Sequence, residues 1–417
     1  MNLTDAQQAM LDGGQGAAVR QAMQILRAVG LAKQAPYCIP VRSAHVGLSV
    51  TSLRDVGVRW LESLADDGAR VRVPTTTNVL SIDREAVGAS PRGDAELQQR
   101  ALHALARMGA ATTCSCNPFS QGYLPARGES VAWSESATAP FVNGVLGART
   151  NREGATALAS ALTGITPCYG MHQTAERRGT AVFRVTAALA GLDGFHLLGA
   201  VVARRCADRI PVLVGLPSSI AQDDLYGFCA AFATYSSLSM FHMVGVTPEA
   251  PTLRAALGGG ADAGRPRGGI ETTQDPQRIQ ADTMDIGDRD LEAQRKAIDG
   301  LGGLPADVAV VGCPHVSLAQ LREIALLMHG RAVSRDKTFF VHTNVVVRAE
   351  AARLGLLEKL VQAGVKVTCD TCVYTSLDTL SRHSRLLTNS SKMAFLMSSR
   401  GLSTALASTA DCVRAMT

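Results

Sequence analysis

Aromatic side chains are scarce in this sequence, at 4% with two tryptophans, and long blocks of one charge are missing altogether. Basic residues number 41 and acidic residues 36, so the net charge of +5 is small for 417 residues. Without a run of like charges a nucleic-acid surface has no compositional support, although a mildly basic balance suits an anionic substrate. No stretch approaches the roughly 18 apolar residues of a membrane span. The N-terminus, MNLTDAQQAMLDGGQG, carries acids and glutamines where a secretory leader needs bases and then an apolar core. A soluble, cytoplasmic protein with no nucleic-acid and no membrane partner is expected. The patterns GxGxxG, GxxxxGK followed by Ser or Thr, and GxSxG are also absent, which argues against nucleotide-binding and serine-hydrolase chemistry.

What is present is a globular composition, 46% hydrophobic and 18% charged, in a chain long enough for two or three domains. Residues 4–32 read as one helix capped by Thr4, with further helices at about 53–66, 93–110 and 152–163, the last capped by Thr150 or Asn151. Residues 71–78 read as a short strand leaving into a polar loop. Residues 111–154 are rich in Thr, Ser, Asn, Gly and Pro, a composition expected to line a site. Segments 195–204, 210–216 and 239–248 read as strands, and 221–236 as a helix. Residues 257–282 are rich in Gly, Pro and Asp and read as an insertion or linker between an α/β region at 1–256 and a second at 283–417. In the latter, strands at 306–315, 338–343 and 365–372 alternate with helices at 318–329 and 344–363, a rhythm that predicts a parallel sheet. Ligands sit at the carboxyl ends of such strands, where Cys313, His342, Cys369 and Cys372 fall.

Ten cysteines are spread along the chain. In a long cytoplasmic protein they are expected as thiols, most of them small buried hydrophobes. Three groups stand apart: Cys114-Ser-Cys116-Asn-Pro, Gly312-Cys313-Pro314-His315 and Cys369-Asp-Thr-Cys372. Thiolates from three distant segments suit an iron–sulfur cluster with one iron left open, whereas an electron-transfer cluster usually takes four. Spacing alone leaves zinc and inert buried thiols as alternatives.

In order along the chain stand Ser-Ala-His (43–45), VPTTTN (73–78), CSCNPF (114–119), GESVAWSESAT (128–138) and NGVLGARTNREG (143–154). FHMVGVTPEAP (241–251), GCPHVSL (312–318), CDTC (369–372) and TNSSK (388–392) follow. Together they resemble the catalytic, large part of the aconitase X family over nearly the whole chain. The resemblance implies an α/β fold of aconitase-like, three-layer αβα domains with mainly parallel sheets around a central iron-cluster cleft. It implies a hydro-lyase that dehydrates cis-3-hydroxy-L-proline to Δ1-pyrroline-2-carboxylate, or the large subunit of a phosphomevalonate dehydratase; a non-catalytic iron-binding scaffold is the reading from another class. Phosphomevalonate-type members carry Asn-Pro and a longer loop after Ala-His where this sequence has Asn78-Val79 and His45-Val46-Gly47-Leu48-Ser49, which favours the hydroxyproline reaction.

Carried over onto this sequence, the ligands of the iron centre are Cys116, Cys313 and Cys372, with Cys114 and Cys369 beside them. The centre is a 2Fe–2S or 4Fe–4S iron–sulfur cluster or mononuclear iron. Ser43, His45, Ser49 and Lys392 are the expected catalytic residues, and Thr75, Thr76, Asn78, Arg149 and Asn151 the expected substrate-binding ones. Glu129, Ser134, Glu135, Arg152, His242 and His315 carry weaker assignments, with caps, salt bridges or core packing as their alternatives. A small swivelling domain, fused or separate in many members, has no counterpart in this sequence, so a small-subunit partner is expected beside the small hydroxy-acid substrate.

Overall fold

The computed structural model describes residues 1–83, 93–154, 156–189, 191–259, 283–374, 380 and 384–417. Three parallel sheets carry the chain. The first has the order Thr75–Thr77, Ala44–Val46, Ala132–Trp133. The second runs His242–Met243, Pro211–Val214, Ala181–Val185, Met284–Ile286. The third runs Lys366–Cys369, Thr338–Thr343, Val308–Val311, Arg385–Thr388, Ser403–Leu406. A two-stranded antiparallel pair joins Cys38–Pro40 to Ile165–Pro167. Helices cover the sheets and close separate apolar cores, one around Leu26, Leu61 and Leu105, one around Phe183, Phe228 and Phe241, and one around Val311, Ile324 and Val341. This is the mainly parallel, layered α/β architecture expected from the sequence.

Local differences have physical causes. The helix expected at 4–32 is two helices, Asp5–Leu11 and Ala17–Ala32, parted by Gly13 and Gly16 at φ of 93° and 96°. Thr4 does cap the first, within a reciprocal box with Gln7. Residues 344–363 likewise split, into Val345–Arg353 and Leu356–Gln362. The largest departure is the segment expected as a strand at 195–204, which lies within a helix, Gly191–Cys206. That helix is buried on nearly every face between its sheet and the helix Gln222–Tyr235, so its apolar run has no polar stripe to reveal a helical period. The helix expected from 152 begins at Thr156, because Asn151 caps nothing and instead binds the 169–171 segment. The reading of 257–282 as a linker lies, beyond residue 259, outside the described residues. Among those described, no helix is long and apolar enough to cross a membrane.

Candidate active site

Three loops bring the cysteine groups together. Cys116 follows the first sheet, Cys313 leaves the strand Val308–Val311, and Cys372 leaves the strand Lys366–Cys369. Gly312 permits the middle turn: its φ is 111°, and a Cβ there would lie 2.4 Å from the His342 carbonyl oxygen. His315 binds all three loops. Its Nε2 donates to the Thr371 carbonyl at 2.9 Å, so its Nδ1 accepts from the Ser115 hydroxyl at 3.2 Å. Its backbone N–H donates to the Cys116 Sγ at 3.3 Å, and its carbonyl accepts from Asn117 at 3.2 Å. The ring is fully buried, and burial lowers its pKa to about 4, against smaller opposing effects of Thr371 and Glu135; it stands neutral at physiological pH.

The three thiols sense one another in sequence. Burial pushes Cys116 well up, and Glu135 and Cys313 add to it, against the His315 N–H and Lys392. Burial raises Cys313 to about 12; Lys392 opposes this, and Cys372 and Glu135 reinforce it. Cys114 belongs elsewhere: its thiol donates to the Thr112 carbonyl at 3.4 Å and lies 3.5 Å from the Thr77 hydroxyl. Cys369 is buried in its strand, and its backbone N–H is held by Asp83.

Beside the thiols lies a buried ion pair. Lys392 Nζ donates to Glu135 Oε1 at 2.6 Å and to Ser136 Oγ at 3.1 Å. Asn78 Nδ2 donates to Glu135 Oε2 at 2.6 Å. Burial acts to raise the Glu135 carboxyl, but Lys392 and Asn78 hold it down to about 2. Burial acts to lower the Lys392 ammonium, and Glu135 reverses this, leaving it above its ordinary value. His45 pairs in register with Thr76, and its Nδ1 lies 2.8 Å from the Thr76 hydroxyl. Burial lowers this histidine to about 4, and Nε2 is left without a hydrogen-bond partner.

The remaining residues singled out in the sequence are engaged elsewhere. The Ser43 hydroxyl accepts from the Trp133 indole at 3.1 Å, and Ser49 bonds Thr51 and Ser81. The Thr75 hydroxyl donates to the Val73 carbonyl. Arg149 donates to the His172 carbonyl and the Thr174 hydroxyl, and Asn151 clamps Tyr169 and Met171. The structure therefore does not bring Arg149 or Asn151 into the group around Lys392; both hold a neighbouring loop. Glu129 pairs with the exposed Arg42. Glu135 and His315 emerge as the centres of the site. Their signal in the sequence was their place inside GESVAWSESAT and GCPHVSL, but nothing in either motif reveals which polar residue turns inward.

The comparisons with known proteins agree with this geometry. Residues 1–175, 179–296 and 306–417 match the profiles of the Aconitase X first, second and third domains. The chain belongs to the aconitase X family. Its relatives include the phosphomevalonate dehydratase large subunit of Aeropyrum pernix, 34% identical over 98% of both chains. The cis-3-hydroxy-L-proline dehydratase of Pseudomonas aeruginosa is 33% identical over 88% of this chain and 60% of its own length. The crystal structure of Thermococcus kodakaraensis aconitase X in its holo-form superposes with a TM-score of 0.85 at 30% identity, covering 99% of each chain. Membership of this family makes the protein a dehydratase, that is, a hydro-lyase.

Proposed function

We propose that this aconitase X protein removes water from cis-3-hydroxy-L-proline, giving Δ1-pyrroline-2-carboxylate, at an iron–sulfur centre held by Cys116, Cys313 and Cys372. The observation that carries the reading is the convergence of three cysteine loops on His315 beside the Lys392–Glu135 pair. The donor set fits such a centre. Thiols are soft ligands that select iron–sulfur clusters. Among the described residues, no three His, Cys, Asp or Glu side chains converge as the ligands of one ion would. The thiols instead follow one another, Cys116 near Cys313 and Cys313 near Cys372, as separate irons of a cluster require.

When bound, such a centre supplies a Lewis acid for the leaving hydroxyl. The chain's own residues supply the rest. As the Cα proton leaves, charge grows on the substrate carboxylate, and the Lys392 ammonium is the buried cation placed to neutralise it. In cis-3-hydroxy-L-proline the Cα hydrogen lies on the ring face opposite the hydroxyl, so an anti elimination needs a base across the ring. His45 suits that task, being neutral with Nε2 unengaged, while Ser43 and Ser49 are already hydrogen-bonded. The proton and the hydroxyl leave as water, and the resulting enamine tautomerises to the imine.

Charge favours this substrate. Among the described residues, the cations acting on Glu135 are Lys392 and Arg152, and Lys392 is already bound to that carboxylate. One substrate carboxylate matches the balance, whereas a carboxylate and a phosphate together exceed it. Phosphomevalonate dehydration is the second reading, favoured by the end-to-end match to large subunits of that name. Those names also support a small-subunit partner for this chain. Anaerobic assay of the protein, alone and with a co-produced small subunit, separates the two: turnover of cis-3-hydroxy-L-proline supports the first, and turnover of 5-phosphomevalonate only replaces it with the second.

A further inference from the structure

Asn78, Glu135 and Lys392 form a chain across the molecule. Asn78 follows the strand Thr75–Thr77, and Glu135 follows Ala132–Trp133, both in the first sheet. Lys392 lies in the first turn of the helix Ser391–Ser398, packed on the third sheet. Both carboxylate oxygens of Glu135 are engaged, one by Asn78 and one by Lys392, each at 2.6 Å. The Glu135 and Lys392 side chains are 12% and 13% exposed, so water cannot replace these bonds freely. A lysine side chain has four rotatable bonds, and fixing it in one rotamer costs up to about 2 kcal/mol. Glu135 holds it in advance. Two of the three ammonium N–H bonds are committed, to Glu135 and Ser136, which leaves one for an incoming anion.

We propose that Glu135 is a positioning residue: steadied from behind by Asn78, it pins Lys392 across the domain boundary so that the remaining N–H meets the substrate carboxylate. Asn78, expected from the sequence to touch substrate, then acts one step back, through Glu135. The inference rests on the dehydratase reading and on a substrate that carries a carboxylate. It gives the GESVAWSESAT and TNSSK motifs, which lie more than 250 residues apart, a single shared task.

The test is a double-mutant cycle on the anaerobically prepared holoenzyme. Two readouts are taken, calorimetric binding of L-proline, which carries the carboxylate and cannot eliminate water, and kcat/KM for cis-3-hydroxy-L-proline. Glu135→Gln and Lys392→Met are each expected to weaken both by roughly tenfold or more, and the double variant to be no worse than Lys392→Met alone, because coupled residues are non-additive. A loss in Glu135→Gln that persists in full on the Lys392→Met background overturns the proposal, since Glu135 then acts independently of the lysine. If Glu135→Gln does not fold, Glu135→Asp takes its place in the cycle, keeping the charge but withdrawing it from Nζ. A wild-type holoenzyme that neither binds L-proline nor turns over the hydroxyproline sinks the substrate reading itself, an outcome distinct from additive losses in an active enzyme.

Discussion

His315 shows how one side chain organises three loops. Through its ring and backbone it touches Ser115, Cys116, Asn117 and Thr371, so its loss should release the loops without removing any thiol. His315→Phe is expected to keep the fold, read by circular dichroism, and to lose most of its bound iron. Retention of full iron would reduce the ring to core packing. His196 is a different case. It is fully buried with neither ring nitrogen partnered, and burial, then Lys392, lowers its pKa to about 3. The unfolded chain takes up a proton near pH 6.5 and the native state does not, so stability is present above that pH and drains as pH falls towards about 3. His45, lowered to about 4, adds to the same slope. Thermal melting from pH 7 downward should therefore show a loss that is shallower in His196→Leu. Arg177 is buried and donates to Glu249, Asn143 and Met171. Arg177→Met leaves Glu249 and Asn143 without their partner and is expected to cost about 3–5 kcal/mol in urea unfolding.

At the scale of elements, strand ends were legible and buried helices were not. TFFVHT alternates into the sheet over its predicted span, and Thr338–Thr343 is that strand. The helix Gly191–Cys206 was hidden because its residues are apolar on all sides. Its fit to the helix Gln222–Tyr235 turns on Gly199, where a Cβ would lie 2.5 Å from the Phe228 carbonyl oxygen. Gly199→Leu should force the two helices apart and cost about 1–3 kcal/mol or more, read as a lowered urea midpoint. The cysteine motifs were legible because thiols are rare and their turns carry Pro or Asp-Thr. Arg149 and Asn151 were misleading because a charged or amide side chain looks the same in sequence whether it binds a substrate or, as here, a backbone carbonyl. The inward turn of Glu135 depends on Lys392, 257 residues away, which no local pattern reveals.

At the scale of the molecule, three sheets point loops at one buried cluster of thiols and one ion pair, in a family of dehydratases. The central claim is that Cys116, Cys313 and Cys372 hold an iron–sulfur centre while Cys114 and Cys369, though adjacent in sequence, do not. Iron and acid-labile sulfide per chain, measured after anaerobic purification of the wild type and of the five single Cys→Ala variants, test it most directly. The account predicts both elements in the wild type, their loss in Cys116→Ala, Cys313→Ala and Cys372→Ala, and their retention in Cys114→Ala and Cys369→Ala. Stoichiometric zinc in place of iron, or loss of iron in the Cys114 and Cys369 variants with retention in the other three, would contradict it.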